Sequence, residues 1–385
     1  MFSNFTFIEL LTECALWTFI IATAVQIFYF LFFYARLAFY KKSNTPPPAK
    51  TAINLKNNQP PVTILICAHN EAENLRANLD RILNQTYRSY QVLVINHNST
   101  DESEIILRHL QQTYSHLDFK NFTNTKKTQV GKKFALAYGI EKARHEVLLL
   151  TDADCVPEST DWLQKMQQTV RDEVEIGLGF GPHQKHPGFL NKLIRFETNL
   201  TATQYFSFAL AGMPYMGVGR NMIYKKELYE NASDFKKHDD LASGDDDLFI
   251  NEVANANNTR IILDPDTFVY SPPKLTWSAW FRQKSRHLTA GRRYRFHHQI
   301  LLGLASSSHI LHYVAGIFIA CQGYFVIAIA LYLIRTILML LIFGEIFRKL
   351  DDAILLKWLP FIDAAFVLYY LVLSPAIFFG NKQKW

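Results

Sequence analysis

Hydropathy divides this chain into three parts, and the division decides what it can fold into. Residues from about Phe7 to Tyr40 are almost free of charge before Arg36, and residues from about Ile300 to Phe347 are nearly all apolar, interrupted by Arg335 and Glu345. A run this long can cross a bilayer, whereas a secretory signal has a shorter apolar core with basic residues in front. Here Arg36, Lys41 and Lys42 follow the first run. By the bias of basic residues toward the cytoplasmic side, the chain enters the cytoplasm after it. A last run, Pro360 to Phe379, contains Asp363. We expect a transmembrane helix in residues 1–42, a linker over 43–61 with three consecutive prolines, a cytoplasmic domain over 62–295, and a membrane region over 296–385 with about three spans. The middle run divides into two spans, or into one span and an interfacial half-helix, because Arg335 needs a partner or an interfacial depth. Arg348 to Trp358 reads as amphipathic and interfacial.

Between the apolar runs the pattern changes. VTILICA, YQVLVIN and EVLLLTDAD are short apolar strands, each followed by a polar turn and a helix-like stretch. Such alternation predicts a mostly parallel sheet with helices on both faces, an α/β domain. The chain has 19% charged and 14% aromatic residues, low and high for a soluble protein. Its net charge of +6 suits a membrane surface or an anionic substrate. No nucleic-acid-binding motif is present, so no nucleic-acid partner is expected. The four cysteines are far apart with no CxxC, which argues against a disulfide framework or a zinc site and fits a reducing compartment.

The chemistry concentrates at strand ends. Thr151-Asp152-Ala153-Asp154 follows the apolar run Val147-Leu148-Leu149-Leu150. Carboxylates at i and i+2 of an extended segment share a face, and a hard cation such as Mg²⁺ or Mn²⁺ takes oxygen ligands and leaves room for phosphate. A lone Asp-x-Asp also occurs as a solvated turn; here it sits where open α/β sheets bind ligands. The first strand ends in Ala68-His69-Asn70-Glu71 and the second in Asn96-His97-Asn98-Ser99-Thr100-Asp101. Further on come Gly217-Val218-Gly219-Arg220-Asn221, the run Asp245-Asp246-Asp247, and Gln283-Lys284-Ser285-Arg286-His287. The acidic run also reads as a cap and dipole partner of the helix that follows, and the basic cluster from 282 to 295 as a grip on anionic lipid.

Taken together, residues 60 to 290 resemble glycosyltransferase family 2, the inverting nucleotide-sugar enzymes of GT-A fold, whose membrane-bound members include ceramide glucosyltransferase, hyaluronan synthase and cellulose synthase. The resemblance implies a GT-A domain flanked by transmembrane helices. It places Ala68, His69 and Glu71 near the nucleoside. Asn96-His97 stands where the family often has an acidic pair, leaving the nucleotide open. VGKKFALAYGI is similar to the family's G-K-x-x-A-L-N-x-G, which makes Lys132 a phosphate or base contact. TDADC matches the metal-binding D-x-D, so Asp152 and Asp154 would hold Mg²⁺ or Mn²⁺. QKSRH resembles (Q/R)-x-x-R-W with His in place of Trp; Gln283, Arg286 and His287 would meet the diphosphate and the acceptor. Gly219, Arg220 and Asn221 would approach the donor sugar. The family's general base comes from an E-D ahead of a helix, here Asp245 or Asp246.

The implied activity is inverting transfer of a sugar from a nucleotide-sugar to a lipid or membrane-associated glycan of the cell envelope. A processive polysaccharide synthase and a catalytically inactive scaffold are the alternatives. The Asn- and Lys-rich, basic character suggests a bacterial inner membrane, with an internal eukaryotic membrane as the other setting.

Overall fold

The run Val62–Ala68 is buried along all seven residues, as a strand must be when both faces and both edges are covered. In the computed structural model, which describes residues 7–41, 59–122, 132–232 and 244–379, this strand, β1, lies inside a seven-stranded sheet, while β5 (Val156–Pro157) belongs to a separate two-stranded one. Its parallel neighbours are β2 (Tyr90–His97) and β4 (Val147–Asp152). Beyond β2 lies β3 (Leu117–Phe122), also parallel. On the other side, β7 (Met222–Lys225) is antiparallel to both β4 and β6 (Ile176–Leu178), and β6 is parallel to β8 (Thr259–Ile261). The sheet is thus mostly parallel with one reversed strand.

Helices cover both faces. α1 (Ala72–Leu83), α2 (Ser103–Thr113) and α3 (Lys132–Lys142) connect the parallel strands, and α4 (Trp162–Gln167) follows β4. One face of the sheet packs Ile64, Ile66, Val92, Val94 and Leu149 against Leu75, Leu79, Leu107 and Trp162. The other packs Leu65, Leu93, Leu148 and Leu150 toward α5, the 22-residue helix Phe189–Leu210. The aromatic-rich stretch from Phe196 is therefore mostly helix, with Phe196, Phe206 and Phe208 buried. The buried Arg195 and Glu197 of this helix need partners there, because a charge taken out of water is costly unless paired.

That second core continues into the apolar runs. The stretches Phe7–Ala38, Phe296–Lys349 and Ala353–Leu373 are long and apolar enough to cross a membrane. The middle one spans 54 residues; as one straight helix it would be about 80 Å long against an apolar bilayer core of about 30 Å. It breaks at Gly323, whose φ of 92° suits glycine, into helices Phe296–Ile319 and Phe325–Lys349. A short 3₁₀ turn, Ala353–Trp358, precedes the last helix, Leu359–Phe379. Arg335, fully buried, donates to Asp363 at 2.6 Å and to Gln26 at 3.1 Å, and Tyr313 donates to the same Asp363 carboxylate at 2.7 Å. The cation in the apolar run thus has its partner on the last helix. Phe33 stacks on Phe208 at 4.5 Å, and Arg195 pairs with Asp352, both joining the apolar helices to α5. The expected linker 43–61 lies outside the described residues up to 58.

Candidate active site

The strand order reverses between β1 and β4, and such a reversal opens a crevice beyond the carboxyl ends of the strands. The ends are level: Ala68 pairs with Asn96, and Cys67 with Asp152. The turns leaving β1 and β2 are laced together. Asn70 donates its N–H to Ser99 Oγ at 2.9 Å, and Glu71 to Ser103 Oγ at 3.2 Å. Asp101 accepts from the N–H groups of Ala72 at 2.9 Å and Ser103 at 3.0 Å. Its carboxyl is held below the ordinary range, because these bonds outweigh burial. Asp101 therefore builds the wall and caps two helices.

His69 Nδ1 is bonded to the His97 carbonyl oxygen at 2.7 Å, so that nitrogen carries the proton. The buried Asn96 amide donates to Asn121 at 2.9 Å. Ala68 packs into the core below the crevice, leaving its backbone at the edge. Glu71 is half-buried and accepts from Asn74 at 2.5 Å. Burial raises its carboxyl above the ordinary range against the Asn74 bond, and the charges of Asp154 and Asp152 add to the rise.

On the β4 side, the ligand atoms of Asp152, Asp154 and Cys155 lie within 4.8 Å of one another. The carboxyl of Asp154 is raised by burial and then by the charge of Asp152. Two half-exposed carboxylates that repel each other fit a divalent cation of oxygen-ligand preference. The Cys155 thiol is pushed far up by burial and the two carboxylates, so it stays protonated and donates to Asp154 at 3.3 Å. It supports a ligand and does not offer a thiolate. Lys132, at the start of α3, forms an ion pair with Asp152. Burial works against its ammonium, but the carboxylates of Asp152 and Asp246 prevail and hold it well above the usual lysine range.

Asp246 lies on α6 (Asp245–Val253). Its carboxyl accepts from the Gly219 N–H; burial raises it above the ordinary range, while Lys132, that bond and Arg220 pull it back. Gly219 is the reason it fits: a Cβ there would sit 1.9 Å from Asp246 Oδ2. Asp247 turns elsewhere and accepts from Tyr294 at 3.0 Å. The Asp245 side chain lies outside the description, as does Gly131. Thus the structure carries Asp246 to the cleft beside Lys132 and Asp152, a pairing that sequence spacing did not separate from Asp245.

Arg220 donates to the Gly181 carbonyl at 2.8 Å, and its charge reaches Asp154 and Asp246. Asn221 differs from expectation. It is fully buried, donates to the carbonyls of Phe180 and Thr267, both at 2.7 Å, and accepts from Trp162 Nε1 at 3.0 Å. Its side chain is a strut inside the fold and does not reach the donor-sugar space. Gln283, Arg286 and His287 lie on α7 (Trp277–Leu288), at the i, i+3 and i+4 positions that share a helix face. Lys284, on the same helix, is paired with Glu197 of α5, both about nine-tenths buried. Sequence reading passed over Glu197; an acid inside an aromatic-rich helix was the available signal.

Comparison with known proteins bears on what this arrangement is. Residues 63–232 match the family described as Glycosyl transferase family 2. Over this stretch the chain is similar to the family 2 glycosyltransferases. Glycosyltransferase AglE of Haloferax volcanii is 32% identical over 191 residues, 49% of this chain and 59% of its own length. The dolichyl N-acetyl-alpha-D-glucosaminyl phosphate 3-beta-D-2,3-diacetamido-2,3-dideoxy-beta-D-glucuronosyltransferase of Methanococcus voltae is 26% identical over 171 residues, 43% of this chain and 48% of its own length. The chain therefore spans about half the length of these relatives. Among solved structures, the mannosyltransferase PcManGT of Pyrobaculum calidifontis, in complex with GDP-Man and Mn²⁺, shares the fold. It has a TM-score of 0.57 at 18% identity, over 89% of this chain and 99% of its own. The mostly parallel sheet expected from the strand pattern, and the GT-A architecture implied by the resemblance, are thereby shown.

Proposed function

We propose that this chain is an inverting glycosyltransferase that moves a sugar from a nucleoside diphosphate sugar to a lipid or membrane-associated glycan. The observation that carries the proposal is the convergence of Asp152, Asp154, Lys132 and Asp246 at the β1/β4 switch point. Asp152 and Asp154 would hold Mg²⁺ or Mn²⁺, which when bound supplies positive charge to the leaving diphosphate. Lys132, Arg220 and Arg286 add fixed cations for the same negative charge, which grows as the sugar–phosphate bond breaks. His69, Glu71, Asn96 and His97 border the nucleoside end of the crevice.

Asp246 is the general base of this reading. The acceptor oxygen attacks the anomeric carbon from the face opposite the phosphate, the carbon–phosphate oxygen bond breaks, and the acceptor proton passes to the Asp246 carboxylate. A half-buried carboxylate with a raised pKa is better matched to that task than a solvated one. The configuration inverts, and no covalent enzyme intermediate forms.

The membrane setting belongs to the same proposal. Residues 62–295 form the cytoplasmic catalytic domain, with an N-terminal span and about three spans after it, in a bacterial inner membrane. The break at Gly323 and the Arg335–Asp363 pair support separate helices packed in a bundle. A relative whose name carries a dolichyl phosphate sugar supports a lipid-linked acceptor. The test is a screen of radiolabelled nucleotide-sugars with purified protein, Mn²⁺ and membrane lipid extract. Transfer of label to a lipid-soluble product is expected. Label in long polymer would favour a processive synthase, and no transfer from any donor would leave the inactive scaffold.

A further inference from the structure

Resting on the functional reading above, we propose that Asn251 and Tyr294 are positioning residues. They fix the rotation of α6 about its own axis, and through it the place of the Asp246 carboxylate over Gly219.

The need for such a device comes from α6 itself. Successive residues on a helix point about 100° apart, so a rotation by one residue would take Asp246 off Gly219 and away from Lys132. The apolar side of α6 holds the helix down without fixing its phase. Leu248, Phe249 and Ile250 are buried, and the Phe249 ring lies 4.9 Å from that of Tyr224 and 5.6 Å from that of Tyr229. Apolar burial has no direction, whereas a hydrogen bond does.

The directional contacts come from a different face. Asp247 and Asn251 stand at i and i+4 and share it. Tyr294 donates to Asp247 Oδ2 at 3.0 Å, and its ring stands against Tyr215 at 5.7 Å. Asn251 is 3% exposed and uses both ends of its carboxamide. Its oxygen accepts the Arg295 N–H at 2.8 Å. Its nitrogen donates to the Tyr215 carbonyl at 2.9 Å and to His298 Nδ1 at 3.0 Å. Arg295 in turn donates to the Glu252 carbonyl at 2.6 Å. Two segments thus grip α6. One ends at Tyr215, just ahead of Gly219, so Asn251 keeps the helix carrying Asp246 in register with the seat that receives it. The other, Tyr294 to His298, opens the membrane-type helix Phe296–Ile319. The phase of the base-bearing helix is therefore set from the membrane side of the domain.

The test is initial-rate transfer by the full chain in detergent with Mn²⁺, from a panel of radiolabelled UDP- and GDP-sugars into membrane lipid extract. Tyr294→Phe removes one hydroxyl and keeps the ring. With the donor that transfers, its kcat should fall about tenfold and donor KM should stay within about threefold, because a misplacement of about 1 Å costs up to about 10²-fold. Asn251→Ala, which loses three bonds, should fall by about 10²-fold. Tyr87→Phe loses a comparable bond, to the Pro60 carbonyl at 2.6 Å, far from α6, and should keep wild-type kcat. The deciding variant combines Gly219→Ala with Tyr294→Phe. Both changes act through one carboxylate, so the pair should lose no more than Gly219→Ala alone. Losses that multiply, wild-type kcat in Tyr294→Phe, an equal fall in Tyr87→Phe, or a raised donor KM at unchanged kcat would each overturn the inference. Asp246→Asn, assayed alongside, separates the two claims. Its loss of kcat beside an unaffected Tyr294→Phe would remove this inference alone; its wild-type kcat would remove the base assignment and this inference with it. No transfer by wild type from any donor would overturn the functional reading and the inference together.

Discussion

Gly219→Ala is the substitution with the clearest expected effect. The added methyl would stand 1.9 Å from Asp246 Oδ2 and 2.2 Å from its Cγ, far inside contact distance. The carboxylate must swing away, losing the Gly219 N–H bond and its place beside Lys132. Positioned general bases contribute about 10²–10⁴-fold, and a misplaced one loses most of that, so kcat should fall by about 10²–10³, or roughly 3–4 kcal/mol of barrier. In the proposed reading donor binding rests on Lys132, Arg220 and Arg286, so donor KM should change by less than about threefold. Gly303→Ala is the control, because a Cβ there meets nothing within 4 Å. The assay is initial-rate transfer of labelled sugar at varied donor concentration, with thermal unfolding to confirm the fold. Wild-type kcat in Gly219→Ala would refute the placement of Asp246 as base.

Other expectations follow from the same geometry. Burial raises Asp246 above the ordinary aspartate value of 3.8, and a base must be unprotonated, so activity should fall on the acid side at a pH above that value. Because Lys132 lowers the same group, Lys132→Met should move that limb of the kcat–pH profile upward on its residual activity. Arg335→Met or Asp363→Leu alone strands a buried charge and should destabilise by about 3–5 kcal/mol, whereas the double substitution should cost clearly less; denaturation of the detergent-solubilised chain checks this. Asn221→Ala removes a donor to two carbonyls and the acceptor of Trp162; it should lower unfolding free energy by about 2–4 kcal/mol with donor KM little changed.

Much of this fold is legible in the sequence because its strands are apolar on both faces. Val62–Ala68, Val147–Asp152 and most of Tyr90–His97 could be read directly, since a doubly covered strand needs no alternation. Leu117–Phe122 escaped the reading: only Leu117 of its six residues is buried, so the edge strand carries little hydrophobic signal. The metal-type carboxylates were visible from spacing along one strand. The packing of Asp246 against Gly219 was not, because the two are distant in sequence. Asn221 read as a donor contact from its neighbours in the chain, and only the fold shows Trp162, Phe180 and Thr267 claiming its amide. Arg335 was legible as a charge needing a partner, and Asp363 as a charge in an apolar run; their meeting is tertiary.

The central claim is that Asp152 and Asp154 seat a divalent cation against a bound nucleoside diphosphate. Electron paramagnetic resonance of Mn²⁺ with the purified chain tests it most directly. The account predicts that GDP or UDP converts free Mn²⁺ signal to a protein-bound one, and that Asp154→Ala abolishes the conversion while Asp247→Asn keeps it. Nucleotide-dependent Mn²⁺ binding of wild-type strength in Asp154→Ala would contradict it.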